Sequence, residues 1–197
     1  MKKILPALLF LSIVIPNTVF AAIENWYAYW SIGIASNEYP SNSDAFVSEP
    51  FIDSIKSIPG VNRTESSIDM LGFYWPMNNN TMAGIVISGT GDRLQDSFDD
   101  YIQTNQYLYG LSGMKFFGRE IGDGFFLRGD IGIARLKFDS NVFYDESSDN
   151  GFGYLIGTGF GIPISDQTRI LLSVSFSNKK VEGDNYRSTS INIGGLW

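Results

Sequence analysis

Few side chains in this sequence could do chemistry, and two of the commonest catalytic types are absent. None of the 197 residues is histidine or cysteine, so the most frequent general base and any thiol nucleophile are missing. A histidine-dependent triad therefore cannot be built in its usual form. The carboxylate pairs Asp99–Asp100 and Asp145–Glu146 remain, but such pairs in polar segments are typical of solvated loops. The sequence predicts no catalytic, cofactor or metal site.

A glycine-rich run, GFGYLIGTGFG at residues 151–161, has the composition of a phosphate-binding loop. Such a loop must lie between a strand and a helix. Here all five glycines stand at odd positions, and large apolar residues fill most of the even ones. A period of two is the period of a strand. The run therefore predicts a strand with one glycine-rich face and one apolar face, and not a nucleotide site.

Period-two alternation recurs in eight segments, which predicts eight strands. Their approximate bounds are residues 25–35, 65–75, 81–91, 101–116, 125–138, 151–162, 168–178 and 185–197. The fourth is ambiguous, because two sets of large residues compete for the apolar face. These sets are Tyr107, Tyr109 and Leu111 against Leu108, Met114 and Phe116.

The connections between these strands fall into two kinds. Those after the second, fourth and sixth strands are short, whereas residues 36–64, 92–100 and 139–150 are longer or acid-rich and residues 179–184 are short and mixed. Short turns at one end and larger loops at the other, with an even strand number, are typical of a transmembrane barrel. We predict an all-β fold, an eight-stranded antiparallel up-and-down transmembrane β-barrel.

The N-terminus predicts export. Lys2 and Lys3 precede an apolar run at residues 4–15 and a small residue before Ala22, so residues 1–21 read as a signal peptide and residues 22–197 as one barrel domain. Loss of the two lysines changes the formal charge of −7 to −9. An acidic exported chain argues against nucleic acid as a partner. No later apolar run reaches the ~18–20 residues of a spanning helix, so only a closed barrel could span a membrane.

Three charged residues, Arg128, Asp130 and Arg169, fall on the polar faces of their strands. The interior of an eight-stranded barrel is just wide enough for side chains. We therefore expect these residues to form a polar network that fills the interior, with passage of protons or ions as the alternative.

Three tryptophans, Trp26, Trp75 and Trp197, fall at strand ends on the side of the short turns. Indole rings favour the membrane interface, so the sequence predicts an aromatic girdle there, with ordinary core positions as the alternative.

These features resemble the small eight-stranded outer-membrane barrels of the OmpA transmembrane-domain, OmpX and opacity-protein type. The resemblance rests on the opening strand WYAYWSIGIAS, the strand GFGYLIGTGFGIP and the terminal Trp197. It implies an outer membrane of the Gram-negative type, periplasmic termini, contact with lipid and lipopolysaccharide, and recognition of the C-terminal strand by the barrel-assembly machinery. Gly195 departs from the pattern, since a bulky residue is usual there, so recognition would rest more on Trp197.

The long first loop carries four apolar residues at helical spacing, Val47, Phe51, Ile55 and Ile58. Pro50 suits the first turn of a short helix. The stripe could contact a host or other surface partner or lie over the barrel mouth; a loop folded on itself or along the lipid interface is equally consistent.

The resemblance implies a non-enzymatic surface protein with a structural or interaction role in adhesion or defence. The alternatives are a narrow channel for ions or small apolar molecules and, less favoured, a lipid-modifying enzyme.

Overall fold

The computed structural model describes residues 26–197, so the signal peptide predicted at residues 1–21 lies outside the described residues. Among these residues, no helix is long and apolar enough to cross a membrane. The elements are β1 (Tyr27–Glu38), α1 (Glu49–Lys56), β2 (Asn62–Asn78), β3 (Thr81–Gln95), β4 (Tyr101–Phe116), β5 (Gly124–Ser140), β6 (Glu146–Ser147), β7 (Gly151–Pro163), β8 (Arg169–Val181) and β9 (Asp184–Leu196).

The eight long strands close into a barrel. Each pairs antiparallel with its neighbours in the chain, and β1 pairs with β9 from Tyr29 opposite Leu196 to Glu38 opposite Arg187. Beyond that register, Ala28 N–H donates to the Trp197 carbonyl at 2.8 Å and Trp197 N–H donates to the Ala28 carbonyl at 3.1 Å. The predicted fold, an eight-stranded antiparallel up-and-down barrel, is confirmed.

The predicted strand positions are confirmed, but several strands extend further at one end of the barrel than predicted. The fourth strand has the predicted bounds, whereas β2 and β3 continue to Asn62 and Gln95 through polar residues. Likewise β8 continues to Val181, which leaves a two-residue turn in place of the predicted loop at 179–184. Both turn residues, Glu182 and Gly183, have positive φ angles of 54° and 94°, as a tight hairpin turn requires.

The barrel has two ends of different character. The end named here the turn end carries Trp26, Trp197 and the connections at residues 79–80, 117–123 and 164–168. The opposite end, the loop end, carries α1 within residues 39–61, the connections at 96–100 and 141–150, and the tight turn at 182–183.

Alternation along the strands separates a filled interior from an apolar outer surface. In β4, Leu108, Met114 and Phe116 are buried inside, while Tyr109 and Leu111 are 40% and 63% exposed, which resolves the ambiguous strand. The apolar belt on the outside includes Ile32, Ile34, Ile85, Leu111, Ile131, Ile133, Phe152, Ile156, Phe160, Leu172, Val174, Ile191 and Ile193.

A β-bulge interrupts this alternation in β2. The register shifts between Asp69 and Leu71 in the pairing with β3, so Met70 and Leu71 are both exposed at 42% while Asp69 and Gly72 are both buried. One extra residue on a strand bends it and re-aims its neighbours. Here the bulge keeps a carboxylate inside the barrel immediately beside a lipid-facing pair.

Glycines on the inner face of the barrel leave room for large side chains and for neighbouring backbone. Gly110, Gly132 and Gly153 face one another across β4, β5 and β7. A Cβ on Gly132 would overlap the Tyr109 carbonyl oxygen, and one on Gly153 would lie 2.9 Å from Leu108 Cδ1. Gly153 therefore leaves room for the Leu108 side chain, and Gly132 leaves room for the backbone of β4.

We expect deletion of Trp197 to lower the yield of folded barrel more than deletion of any single loop. The deletion removes both backbone hydrogen bonds to Ala28 and the packing of the Trp197 ring on Trp30 at 6.3 Å. The folded fraction is measured by heat-dependent mobility on a detergent gel.

Two comparisons make this test specific. Trp197→Phe keeps the backbone bonds and should fold much better than the deletion. Equal folded fractions for the Trp197 deletion and for a variant with residues 97–99 removed would contradict the prediction.

Candidate functional site

Apolar clusters fill both ends of the barrel interior. The turn-end plug consists of Tyr29, Tyr74, Met82, Met114, Phe116, Ile121, Phe126, Leu171 and Leu196. The loop-end plug consists of Tyr39, Val47, Ile52, Leu94, Ile102, Ala134, Leu136, Val181 and Tyr186. A polar layer lies between the two plugs. The interior is therefore built like a protein core.

Helix α1 supplies part of the loop-end plug. Pro50 lies in its first turn, with Glu49 near the N-terminus and Lys56 near the C-terminus, which suits the helix dipole. Its inward face carries Ile52, which is 1% exposed. Apolar burial of one helix face favours docking over the barrel mouth.

Polar contacts anchor the loop that carries α1. The Tyr39 hydroxyl donates to Asp92 Oδ2 at 2.9 Å, and Arg63 Nη2 donates to the same oxygen at 2.7 Å. On the other side, the Val47 amide donates to the Tyr186 hydroxyl at 3.3 Å. Burial and the neighbouring Asp92 carboxylate hold the pKa of the Tyr39 phenol well above its usual value.

Arg128 is the centre of the polar layer. Its guanidinium donates to both carboxylate oxygens of Asp69 at 2.8 Å each, and Nη2 donates to Asp130 at 2.6 Å. Ser31 and Ser112 each donate to one of these carboxylates at 2.5 Å. Forked guanidinium–carboxylate pairing of this kind fixes geometry as well as charge.

Arg169 lies apart from this group. It is at the turn end, where it donates to Glu120 at 3.0 Å and to the carbonyls of Ile121 and Asp166 at 3.1 and 2.8 Å. The structure thus brings Arg128 and Asp130 together and leaves the third residue of the predicted network, Arg169, in a separate cluster with Glu120.

A buried lysine also borders the polar layer. Lys179 is 2% exposed, and its ammonium donates to Ser177 Oγ at 2.8 Å. It lines a cavity of about 10 Å³ together with Asp69, Thr90 and Asn192, which is room for roughly one water molecule. Lys179 therefore borders the same cavity as Asp69, one of the two carboxylates that Arg128 binds.

Sequence reasoning missed Asp69 and Lys179. Asp69 interrupts an apolar stretch with Ile68 on one side and Met70 and Leu71 on the other, and a lone acid in such a stretch is a usable signal. Lys179 continues the inward series of Arg169, Leu171 and Ser177 by one more step, so extending the alternation would have found it.

The three tryptophans lie together at the turn end. Trp75 is 51% exposed, the Trp26 ring packs on Phe73 at 5.5 Å and the Trp197 ring on Trp30 at 6.3 Å. A Cβ on Gly195 would lie 2.6 Å from the Trp197 ring. The ring of Trp197 thus covers the position where a bulky residue was expected.

The apolar stripe of the first loop points mainly into the barrel mouth. Val47 is 2% exposed, Phe51 and Ile55 pack on the loop-end plug, and Ile58 alone of the four is half exposed, at 52%. Of the alternatives considered for the stripe, this geometry matches a cover over the mouth. Val47 is inaccessible to a partner while the cover is in place.

The acidic pairs lie in the connections at the loop end, where Glu146 begins the two-residue strand β6. Asp99, Asp100, Asp145 and Glu146 are all exposed at the loop end. Within residues 26–197, no group of three or more acidic side chains is arranged to hold a metal ion.

Comparison with known proteins identifies structures of similar fold but no matching family and no matching curated protein. No protein-family model matches the sequence, and a search of curated proteins finds no match. Among solved structures, Neisserial surface protein A aligns with a TM-score of 0.54 and 11% identity, over 87% of this chain and 95% of that one. Ail, the attachment invasion locus protein of Yersinia pestis, in complex with the heparin analogue sucrose octasulfate, aligns with a TM-score of 0.51 and 14% identity, over 87% and 99%.

A third structure, the outer membrane protease OmpT from Escherichia coli, aligns with a TM-score of 0.39 and 9% identity over 88% of this chain and 96% of that one. Similarity at that level carries no argument about activity. The chain shares the fold of small eight-stranded outer-membrane barrels.

We expect Arg128→Met to destabilise the barrel strongly. Removing one partner of a buried ion pair leaves uncompensated charge and costs about 3–5 kcal/mol, and here both Asp69 and Asp130 lose their partner. The free energy of unfolding is measured by urea titration in lipid vesicles, followed by tryptophan fluorescence.

Two further variants test the cause. Arg169→Met should cost less, because its carboxylate partner Glu120 is 55% exposed. Combining Arg128→Met with Asp69→Asn and Asp130→Asn should recover part of the loss, because no buried carboxylate then remains unpaired. No recovery in the triple variant would contradict the role assigned to charge.

We expect alkaline pH to loosen the cover over the barrel mouth through Tyr39. Its pKa is raised above the ~10 of a free phenol, so its contribution to stability is fully present below about pH 10 and is lost as the pH rises further. The accessibility of α1 to limited proteolysis between about pH 9 and 12 measures this. Tyr39→Phe should flatten the pH dependence, and an unchanged profile in that variant would count against it.

Proposed function

We propose that this chain is a non-enzymatic outer-membrane protein whose loop end faces the cell exterior and makes surface contacts, in an adhesion or defence role. The observation that carries the proposal is the filled interior. Apolar plugs occupy both ends and an ion-paired polar layer lies between them. With the lumen occupied, the loops are the part of the molecule left to meet other molecules.

The apolar belt supports placement in a membrane. Its side chains are large, exposed and confined to the outward face of the strands, as a lipid-facing band requires. Trp26, Trp75 and Trp197 would mark the periplasmic interface, and the ring pairs Tyr107–Tyr109 and Tyr154–Phe176 would mark the outer one. In this orientation both termini are periplasmic, and the β9 strand is available to the barrel-assembly machinery before closure.

The surface role is tested by replacing loops while keeping the barrel. In cells that make this variant in place of the wild type, residues 96–100 and 141–150 are replaced by short glycine–asparagine turns. Cell attachment and serum survival are then measured. We expect at least one of these properties to fall to the level of a deletion strain. Wild-type values for both, with normal amounts of folded protein, would refute the proposal.

The channel alternative has a separate test. Because both ends are filled, purified protein in planar bilayers should show no reproducible unit conductance. Steady unit steps would favour transport over surface contact. Unchanged lipid A in mass spectra with and without the protein is the expected result for the lipid-modifying alternative.

A further inference from the structure

Four apolar side chains are exposed at the tips of two loops, far from the apolar belt. Phe98 is 86% exposed and Tyr144 is 94% exposed, with Phe143 at 59% and Val142 at 55%. We call these four residues the aromatic crest. Scattered apolar residues on a surface are ordinary, but a group of large ones marks an interaction site. Neither the packing of the barrel nor its contact with lipid accounts for the exposure of these four side chains.

A polar wall separates the crest from the belt. On the outer face of β4 and β5, Gln103 donates to Asn105 at 2.8 Å and Asn105 donates to Asp139 at 2.9 Å, and Lys137 pairs with Asp139. Tyr101 starts β4 six residues before Tyr107, which is roughly 20 Å along a strand. The crest therefore stands well above the level of the acyl chains, and lipid tails do not cover it.

The two loops that carry the crest are fastened to each other. Asn141 Oδ1 accepts the Tyr101 amide at 2.7 Å, and Asn141 Nδ2 donates to the Asp99 carbonyl at 3.2 Å. Ser140 Oγ accepts the amides of Val142 and Phe143 at 3.0 and 3.1 Å. Both loops thus have a defined conformation, and a preformed surface loses less conformational entropy when it binds.

The charges on the two loops that carry the crest have one sign. The loops at residues 96–100 and 141–150 contain no lysine or arginine. Their carboxylates are Asp96, Asp99, Asp100, Asp145, Glu146 and Asp149. A polyanion such as the sulfated sugar bound to Ail would be repelled here, whereas a cationic partner would be attracted.

We propose that the aromatic crest binds a cationic amphipathic segment of a polypeptide. Apolar side chains of the segment pack on Phe98, Phe143 and Tyr144, and its lysines or arginines face the surrounding carboxylates. This inference rests on the proposed function, because it requires the loop end to face the exterior, and it adds the chemistry of the partner.

The test uses the full-length mature barrel in nanodiscs of phosphatidylcholine, which carries no net charge and does not itself attract cations. The probe is a short synthetic helical peptide with one lysine face and one leucine face, and its affinity is measured by calorimetry. We expect saturable binding that weakens as salt rises from about 50 to 500 mM, since exposed charges are screened. Empty nanodiscs and a glutamate–leucine peptide should show no comparable binding.

Three variants separate the contributions of the crest. Phe98→Ser combined with Tyr144→Ser should weaken binding about tenfold or more, because buried aromatic residues dominate such contacts. Glu146→Gln combined with Asp149→Asn should weaken it several-fold and reduce the salt dependence. The matched control Asp166→Asn changes an exposed carboxylate at the turn end and should bind like the wild type. Heat-dependent gel mobility confirms that each variant is folded.

The outcomes distinguish this inference from the proposed function. Equal affinity for the wild type and the Phe98/Tyr144 variant, or tighter binding of heparin than of the cationic peptide, would overturn the inference. Loss of cell attachment on loop exchange, together with no peptide binding by the wild type, would also overturn it and leave the surface role standing. Crest-dependent peptide binding, with cell attachment and serum survival both unaffected by loop exchange, would support the site and refute the surface role.

Discussion

Closure of the sheet between β1 and β9 is the constraint on which the rest of the structure depends. Within an apolar belt, each backbone N–H and C=O must find its partner inside the protein, and the first and last strands can do so only by pairing with each other. Their ladder runs from Glu38 opposite Arg187 down to Tyr29 opposite Leu196, and the reciprocal bonds between Ala28 and Trp197 end it. The number of strands so closed then sets the width of the interior.

That width explains why the interior is a core and not a passage. Eight strands leave space for side chains alone, so large residues must be offset by small ones. Gly153 of β7, for example, leaves room for the Leu108 side chain of β4. Charges can enter such a space only with their counter-charges, and Arg128 lies between Asp69 and Asp130 for that reason.

The sequence predicted the number and order of the strands, and the faces of those with clear alternation, because a lipid side and a packed side impose a period of two. It failed where that period is broken or prolonged. Asp69 was overlooked since the bulge at Met70 shifts the alternation, and Lys179 was overlooked since β8 continues past its apolar part. Contacts between residues that are far apart in the sequence, such as Arg128 with Asp69 or Ile52 with the barrel mouth, depend on closure of the sheet. The local alternation of residues could not predict them.

The unequal lengths of the strands make the rim of the barrel higher on one side than on the other. Strands β2 to β5 have 15 to 17 residues, whereas β7, β8 and β9 have 13 each. The rim at the loop end is therefore slanted, with the two loops that carry the aromatic crest on its high side and the two-residue turn at 182–183 on its low side. The direction from which the high side can be reached then depends on how the barrel is rotated about its own axis. It also depends on the height of neighbouring proteins in a crowded bilayer.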